Sequence, residues 1–335
     1  MAPLELPGIG RVRQGQYYAE LTDECSNFGI VHGGYFSSLL AKAATFYLFD
    51  EHKIDLGHTY TLHIEFLKPG RAGPIEFQTE LVRKGSSMAT VHVVAKQYSK
   101  PVAVGYFSNV DLRKSGALSL PPALKLLPAV QAAEVSGFES GHQTEWLPVF
   151  FPKIEGNPMS GLVHNKWMVH KQGHMDPSVA DFWFAWKEPE RTWTNDWLGF
   201  IVDQVPMIVE NYLPMPNTGI DAFVAYAKAS KAGELEGKEA PDWVSKNWYV
   251  TQSLDLEVKR LLEPGKVRWL FCRAQTKEIV NGRSDMEVLV LDPDMNLIAI
   301  GHQIIIVKSL EWAKKGAKVP ASSNGPNSGV SSPRI

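Results

Sequence analysis

The chain has 335 residues, 44% of them hydrophobic and 21% charged, with a formal net charge of −2. That length allows two domains and a sizeable core, and that charge gives no ground for nucleic acid or an anionic membrane as the main partner. Only Cys25 and Cys272 are present, which excludes a disulfide-dense scaffold and fits a reducing compartment.

The N-terminal "MAPLELPGIGRVRQ" lacks the apolar core of a secretory signal, and the C-terminal "SSPRI" is not a peroxisomal address. No run approaches the roughly 18 apolar residues of a membrane span, so a cytoplasmic protein is expected by elimination. The stretch 27–44, "NFGIVHGGYFSSLLAKAA", reads as a loop turning into a helix over 34–49, with Asn27, His32, Gly33 and Gly34 at its start. "TLHIEFLKPG" (61–70) alternates apolar and polar residues and closes on Pro-Gly, the pattern of a strand and turn. Two more strands follow, "MATVHVVAKQ" (88–97) and "KPVAVGYFSNV" (100–110), joined by a turn-rich segment. Prolines and small residues in "DLRKSGALSLPPALKLLPAVQAAE" suggest a linker over 113–150.

Beyond the linker, "WFAWKEPERTWTNDW" (183–197) reads as core aromatics plus a surface helical excursion. Its alternative is an unusual pocket built together with the stretch between Tyr212 and Trp248. A second long apolar helix is expected over about 196–213, followed by strands in "SLDLEVKRLLEPG" (253–265), "DMEVLVL" (285–291) and "NLIAIGHQIII" (296–306). Residues 311–335 are too poor in apolar side chains to fold and are expected to form a disordered tail.

These elements repeat. "TLHIEFLKPG" matches "SLDLEVKRLLEPG", "KPVAVGYFSNV" matches "NLIAIGHQIII", and one long helix precedes each set. Two similar halves, 1–112 and 151–310, are therefore expected. Each would be an α+β layer of one helix on an antiparallel sheet, and the pair would have pseudo-two-fold symmetry.

"Asn27-F-G-I-V-His32-Gly33-Gly34" resembles the opening of hotdog-fold thioesterases, and the doubled arrangement resembles the type II acyl-CoA thioesterases and related thioesterase-like proteins. The resemblance implies an α+β double hotdog, each long helix wrapped by an antiparallel sheet, and hydrolysis of an acyl-CoA or acyl-carrier thioester. It also implies a trio of Asp, Thr or Ser, and Gln from the second half. Position by position these fall at Asp203, Ser253 and Gln303, with His32, Gly33, Gly34 and Thr61 as substrate-binding positions. No metal or cofactor is expected, and the protein would be a monomer or homo-oligomer.

Asp203 is the one acid between Leu198 and Val209, where an unpaired buried carboxylate would be costly, and Pro206 three residues on should disturb the helix. Ser253 shares a strand face with Asp255 and Glu257, which would point it at solvent. Gln303 lies in a strand apolar on both faces, where its amide needs partners. Laid on the first half, Ser253 meets Thr61, Gln303 meets Phe107, and Ala41 stands where single-domain hotdogs carry their acid. The first half is thus expected to shape the site and the second to carry its chemistry. Peptide N–H groups near Gly33 and Gly34 could polarise the thioester carbonyl.

Lys68, Arg71, Arg83, Lys84, Lys259 and Arg260 are candidates for holding coenzyme A. A hydratase reading on Asp23, Asn27 and His32 departs from the expected spacing. The other alternative is a non-hydrolytic protein that binds or transforms an acyl or polyketide intermediate. Neither a GxxxxGK[ST] nor a GxGxxG phosphate loop nor a GxSxG elbow is present.

Overall fold

The structure, a computed structural model, describes residues 3–27, 29–114, 118–140, 145–149, 160–204, 206–212, 224, 225, 228, 247–309 and 311. Strands β1 (Gly10–Arg13), β2 (Gln16–Leu21), β3 (Ser26–Asn27) and β4 (Ile30–Val31) lead to helix α1 (Gly33–His52). Strands β5 (His58–Phe66), β6 (Gly73–Lys84), β7 (Met88–Gln97) and β8 (Lys100–Val110) complete the first half. The second half opens with β9 (Trp146–Val149), β10 (Asn165–His170) and β11 (Val179–Trp186), then a short helix α2 (Leu198–Val202). It closes with β12 (Asn247–Val258), β13 (Leu270–Gln275), β14 (Ile279–Val280), β15 (Arg283–Leu291) and β16 (Leu297–Ser309).

A single 14-stranded sheet runs in the order β1-β2-β6-β7-β8-β5-β12-β16-β15-β13-β11-β10-β9, with β14 on β15. Read outward from the β5–β12 seam, the first half gives β5-β8-β7-β6-β2 and the second β12-β16-β15-β13-β11. Corresponding strands occupy corresponding places, so the repeat legible in the sequence is a repeat of topology. The seam is antiparallel, pairing Leu62 with Leu256 and Ile64 with Leu254, and His63 Nδ1 meets Asp255 Oδ1 across it at 2.7 Å.

Helix α1 is buried along most of its length, from Gly34 and Tyr35 through Ser37, Ser38, Leu39 and Leu40 to Ala43, Ala44 and Leu48. Small residues on several sides suit a helix wrapped by a sheet rather than one lying on a surface. The chain leaves α1 through Lys53 in the left-handed conformation, whose N–H caps the carbonyls of Leu48 and Phe49.

The long helix expected over 196–213 is broken. A 3-10 turn at Asn195–Trp197 feeds α2, which stops at Val202, and a second 3-10 segment covers Pro206–Tyr212. Pro206 has no N–H to offer the Val202 carbonyl four residues before it. That carbonyl accepts from Gln303 Nε2 at 2.8 Å instead, and Gln204 Nε2 reaches the Phe200 carbonyl at 3.0 Å. Side-chain amides thus satisfy the helix end that the proline disrupts.

The stretch expected as a linker has no helix or strand over residues 118–134, but β9 adds Trp146–Val149 to the edge of the sheet. Leu126, Val130, Ala133 and Val135 cover the outer face of the second half, packing with Met168, Trp183, Trp269, Phe271 and Leu289. Arg273, 1% exposed, anchors this cover. Its guanidinium grips Asp181 through two bonds of 2.7 and 2.6 Å and donates to the Pro128 carbonyl at 2.7 Å. Arg273→Met would strand Asp181 without its cation, so it should destabilise by about 3 kcal/mol in urea unfolding. A change below about 1 kcal/mol would show that the anchor is dispensable. The expected tail lies outside the described residues apart from Glu311, as does most of the stretch between Tyr212 and Trp248.

Candidate active site

The site forms where α1 and α2 cross. A Cβ on Gly34 would lie 2.6 Å from the Gly199 carbonyl oxygen, 2.7 Å from Asp203 Cβ and 2.9 Å from Phe200 Cα. One on Gly33 would lie 2.9 Å from Asp203 Oδ2. The Gly33–Gly34 pair therefore lets the first turn of one half meet the helix of the other at backbone distance. First-turn N–H groups lack intrahelical partners. Here they are exchanged across the crossing: Gly34 N–H donates to Asp203 Oδ2 at 2.6 Å, and Phe200 N–H donates to Ser38 Oγ at 3.0 Å.

Asp203 follows the last residue of α2 and is 3% exposed. Its second oxygen, Oδ1, accepts from Thr251 Oγ1 at 2.9 Å. Burial pushes its carboxyl pKa above the ordinary aspartate value, while His32, the Thr251 hydroxyl and the Gly34 N–H pull it partly back. His32 caps α1, its Nδ1 accepting from the N–H groups of Gly34 and Tyr35 at 3.2 and 3.4 Å. An accepting Nδ1 leaves the ring proton on Nε2, and burial holds the imidazole pKa down while the neighbouring Asp203 pulls it back up. Its Nδ1 lies 3.6 Å from Asp203 Oδ2.

The hydroxyl on Asp203 belongs to Thr251, not Ser253. Strand β12 carries a bulge at Gln252, with Thr251 opposite Ile305 and Ser253 opposite Ile304. The extra residue turns the alternation by one. Thr251 joins the face toward the helices. Ser253 falls in the alternation of Asp255 and Glu257, opposite Glu65 and Ile304, yet is buried there at 8% exposure and does not point at solvent as its neighbours do. The first half has the same bulge at Tyr60, with Thr59 opposite Asn109 and Thr61 opposite Ser108. Thr61 shares the outward face of His63 and Glu65, away from Asp203. The signal that could have found Thr251 was a hydroxyl residue two places before Ser253, matched by Thr59 two places before Thr61.

Gln303 is 3% exposed and stands opposite Leu254 on the inner face. Its Nε2 holds the Val202 carbonyl next to Asp203, and its Oε1 is buried without a partner. The first half contributes to the site directly, because its Gly34 N–H supplies a hydrogen bond to the acid. The same contact occupies the Gly34 N–H, which is therefore not free to polarise a substrate carbonyl. Of the basic candidates, Lys259 is paired with Glu257 and Arg260 donates to the Leu297 carbonyl. Among the described residues, no cluster of three His, Cys, Asp or Glu side chains is placed to hold a metal. Nor is any helix among them long and apolar enough to cross a membrane.

Residues 21–110 match the acyl-CoA thioesterase N-terminal domain, and residues 132–307 match the acyl-CoA thioesterase C-terminal domain. The chain belongs to the acyl-CoA thioesterase family. The crossing just described is where the two family domains meet, with Gly34 from one and Asp203, Thr251 and Gln303 from the other. A curated relative, the thioesterase-like protein TwmA of Talaromyces wortmannii, is 25% identical over 315 residues, covering 88% of each chain. Among solved structures, a hotdog-fold protein of unknown function from Alicyclobacillus acidocaldarius has a TM-score of 0.59 at 15% identity, covering 90% of this chain and 96% of its own. Acyl-CoA thioesterase II TesB2 from Mycobacterium marinum has a TM-score of 0.55 at 15% identity, with 90% and 96% coverage. These likenesses give the fold as hotdog.

Proposed function

We propose that the protein is a double hotdog that hydrolyses acyl thioesters, with Asp203 as general base. One observation carries this reading: a buried carboxylate at the helix crossing, gripped by Thr251 Oγ1 at 2.9 Å and Gly34 N–H at 2.6 Å, with Gln303 holding the adjacent Val202 carbonyl through Nε2 and keeping its Oε1 unpartnered. Two protein donors fix the carboxylate, and Gln303 Oε1 is left as an acceptor for one hydrogen of a water molecule. Asp203 takes the other hydrogen as the water oxygen attacks the thioester carbon. Collapse of the tetrahedral species expels the thiolate, which recovers the proton from Asp203 and leaves the free acid and the thiol. Acyl-CoA and acyl-carrier thioesters both present this group.

Release of free thiol from a series of acyl-CoA thioesters tests the reading. Thr251→Val should lower kcat/KM about tenfold or more, because the hydrogen bond it removes is to a charged group. Ser253→Ala should stay within about twofold of wild type. The reverse order would return the hydroxyl role to Ser253, and no release by wild type would sink hydrolysis. A second reading, in which an acyl intermediate is bound or transformed without release, is favoured by one fact: both Asp203 oxygens already accept protein hydrogen bonds. Tight binding of an acyl-CoA with no thiol release would support it.

A further inference from the structure

The inner wall of the second half holds polar atoms that its own chain does not satisfy. Asn165 on β10 stands opposite Trp186 on β11. Asn165 is 3% exposed and Trp186 fully buried, yet Asn165 Nδ2, Asn165 Oδ1 and Trp186 Nε1 all lack a hydrogen-bond partner. In the first half Thr79 Oγ1 and Asn109 Oδ1 are also unpaired, but no buried side chain among the described residues there has every polar atom of an amide without a partner, since Asn109 Nδ2 donates to Thr45 Oγ1. The Tyr17 hydroxyl is shared between Asp50 and Glu51, the Tyr35 hydroxyl donates to the Glu5 carbonyl, and the Gln97 amide both donates to and accepts from the backbone of Arg71. Orphaned buried groups are costly enough that folded chains keep few without a reason. Two further unpaired indole N–H groups, Trp183 and Trp269, belong to the cluster under the linker and are not part of this wall.

A chain of buried ring contacts links Trp186 to the Asp203 carboxylate. The Trp186 ring lies parallel to Phe200 at 5.9 Å and packs on Trp193 at 4.2 Å. Phe200 meets the His32 ring edge-on at 5.5 Å, and His32 approaches Asp203 at 3.6 Å. The Arg191 guanidinium sits 3.8 Å from the centre of the Trp186 ring. Flat apolar walls and a few convergent polar groups are the usual make-up of a small-molecule pocket.

We propose that the acyl group this site takes carries oxygen, as hydroxyl or keto groups on a flat segment remote from the thioester, and that Asn165 and Trp186 Nε1 recognise those oxygens. This rests on the thioester-hydrolysis reading and names its substrate class. A keto oxygen would accept from Asn165 Nδ2 or Trp186 Nε1, and a hydroxyl would donate to Asn165 Oδ1. A plain alkyl chain would shut all three atoms away from water without replacing their bonds. Sites built around hydrogen bonds discriminate strongly against substrates that lack the matching group.

The test compares a plain medium-chain acyl-CoA, its hydroxy- and oxo-substituted counterparts of equal carbon count, and hydroxycinnamoyl-CoA. Wild type should prefer at least one oxygenated acyl group over the plain one by about tenfold or more in kcat/KM. Asn165→Leu, close in volume but without the amide, should collapse that preference toward unity. Equal rates for plain and oxygenated chains in wild type would overturn the proposal while leaving hydrolysis intact, and need no variant to fold. A preference that survives in a folded Asn165→Leu would also overturn it, assigning the unpaired atoms to water. If wild type hydrolyses nothing, the hydrolysis reading fails by itself. Calorimetric binding of the matched free acids then decides the recognition, tighter binding of the oxygenated acid supporting it and equal binding rejecting it.

Discussion

Asp203→Asn should abolish most thioester hydrolysis, lowering kcat/KM by about 10²–10⁴, and yet leave the protein as stable as wild type or more so. The loss follows from the proposed mechanism, in which Asp203 takes the proton from water. The gain in stability follows from the sign of the pKa shift. Burial raises the Asp203 carboxyl above its ordinary value in the folded state, so the fold prefers the neutral form. Such a group contributes most stability below the unfolded aspartate pKa of about 4, and that contribution is lost as pH rises through the elevated folded value. At neutral pH the wild type therefore carries a buried charge at a cost, and asparagine removes it. Asparagine also keeps both contacts, offering its oxygen to Gly34 N–H and its amide to the Thr251 hydroxyl.

Thermal unfolding should give Asp203→Asn a Tm at or above wild type at neutral pH, with the difference closing as pH falls to about 4. The rate of the wild-type enzyme should rise with pH along a limb placed above the ordinary aspartate range, since the base works only when ionised. Full activity in Asp203→Asn would remove the acid from the mechanism. A lower Tm at neutral pH would show that its hydrogen bonds outweigh its desolvation.

Gly34→Ala is the other change with a large expected effect. Alanine is worth roughly 1 kcal/mol more than glycine inside a helix, which taken alone predicts a more stable protein. The contacts decide otherwise. A Cβ at 2.6 Å from the Gly199 carbonyl and 2.9 Å from Phe200 Cα meets backbone, which cannot rotate away. The helices must move apart, and the overpacking should outweigh the propensity gain by about 1–3 kcal/mol. The same movement lengthens the 2.6 Å bond that holds Asp203, and displacements near 1 Å at a reacting group cost on the order of 10²-fold in rate. Gly8→Ala is the control, because nothing lies within 4 Å of a Cβ there. Urea unfolding and thiol release on the three proteins separate the two effects. Wild-type activity in Gly34→Ala would show that the crossing is not needed for catalysis.

Much of the architecture was legible in one sequence because the chain says it twice. Strands with period-two alternation at Met88–Gln97 and Lys100–Val110 came through with little change, as did the helix entering at His32-Gly33-Gly34, because local pattern and tertiary role agree there. The acid and the amide, Asp203 and Gln303, were visible as polar residues in apolar runs, a contrast that burial makes meaningful. The second helix was overextended because apolar periodicity continues through Pro206, although the hydrogen bonding does not.

Three features depended on contacts that no local pattern reports. The first was the choice of hydroxyl, because a single bulged residue at Gln252 turns Thr251 rather than Ser253 onto Asp203, and alternation cannot reveal a bulge. The second was the partner of the Val202 carbonyl, which only the approach of β16 could supply as Gln303. The third was the partner of the Gly34 N–H, which the sequence places ready for a substrate carbonyl and which the fold instead gives to Asp203, 169 residues away along the chain. Sequence by itself determined which residue types were available and in which repeat they stood. Packing of two helices at glycine distance determined which of them touch, because hydrogen bonds between distant segments exist only once the chain has folded.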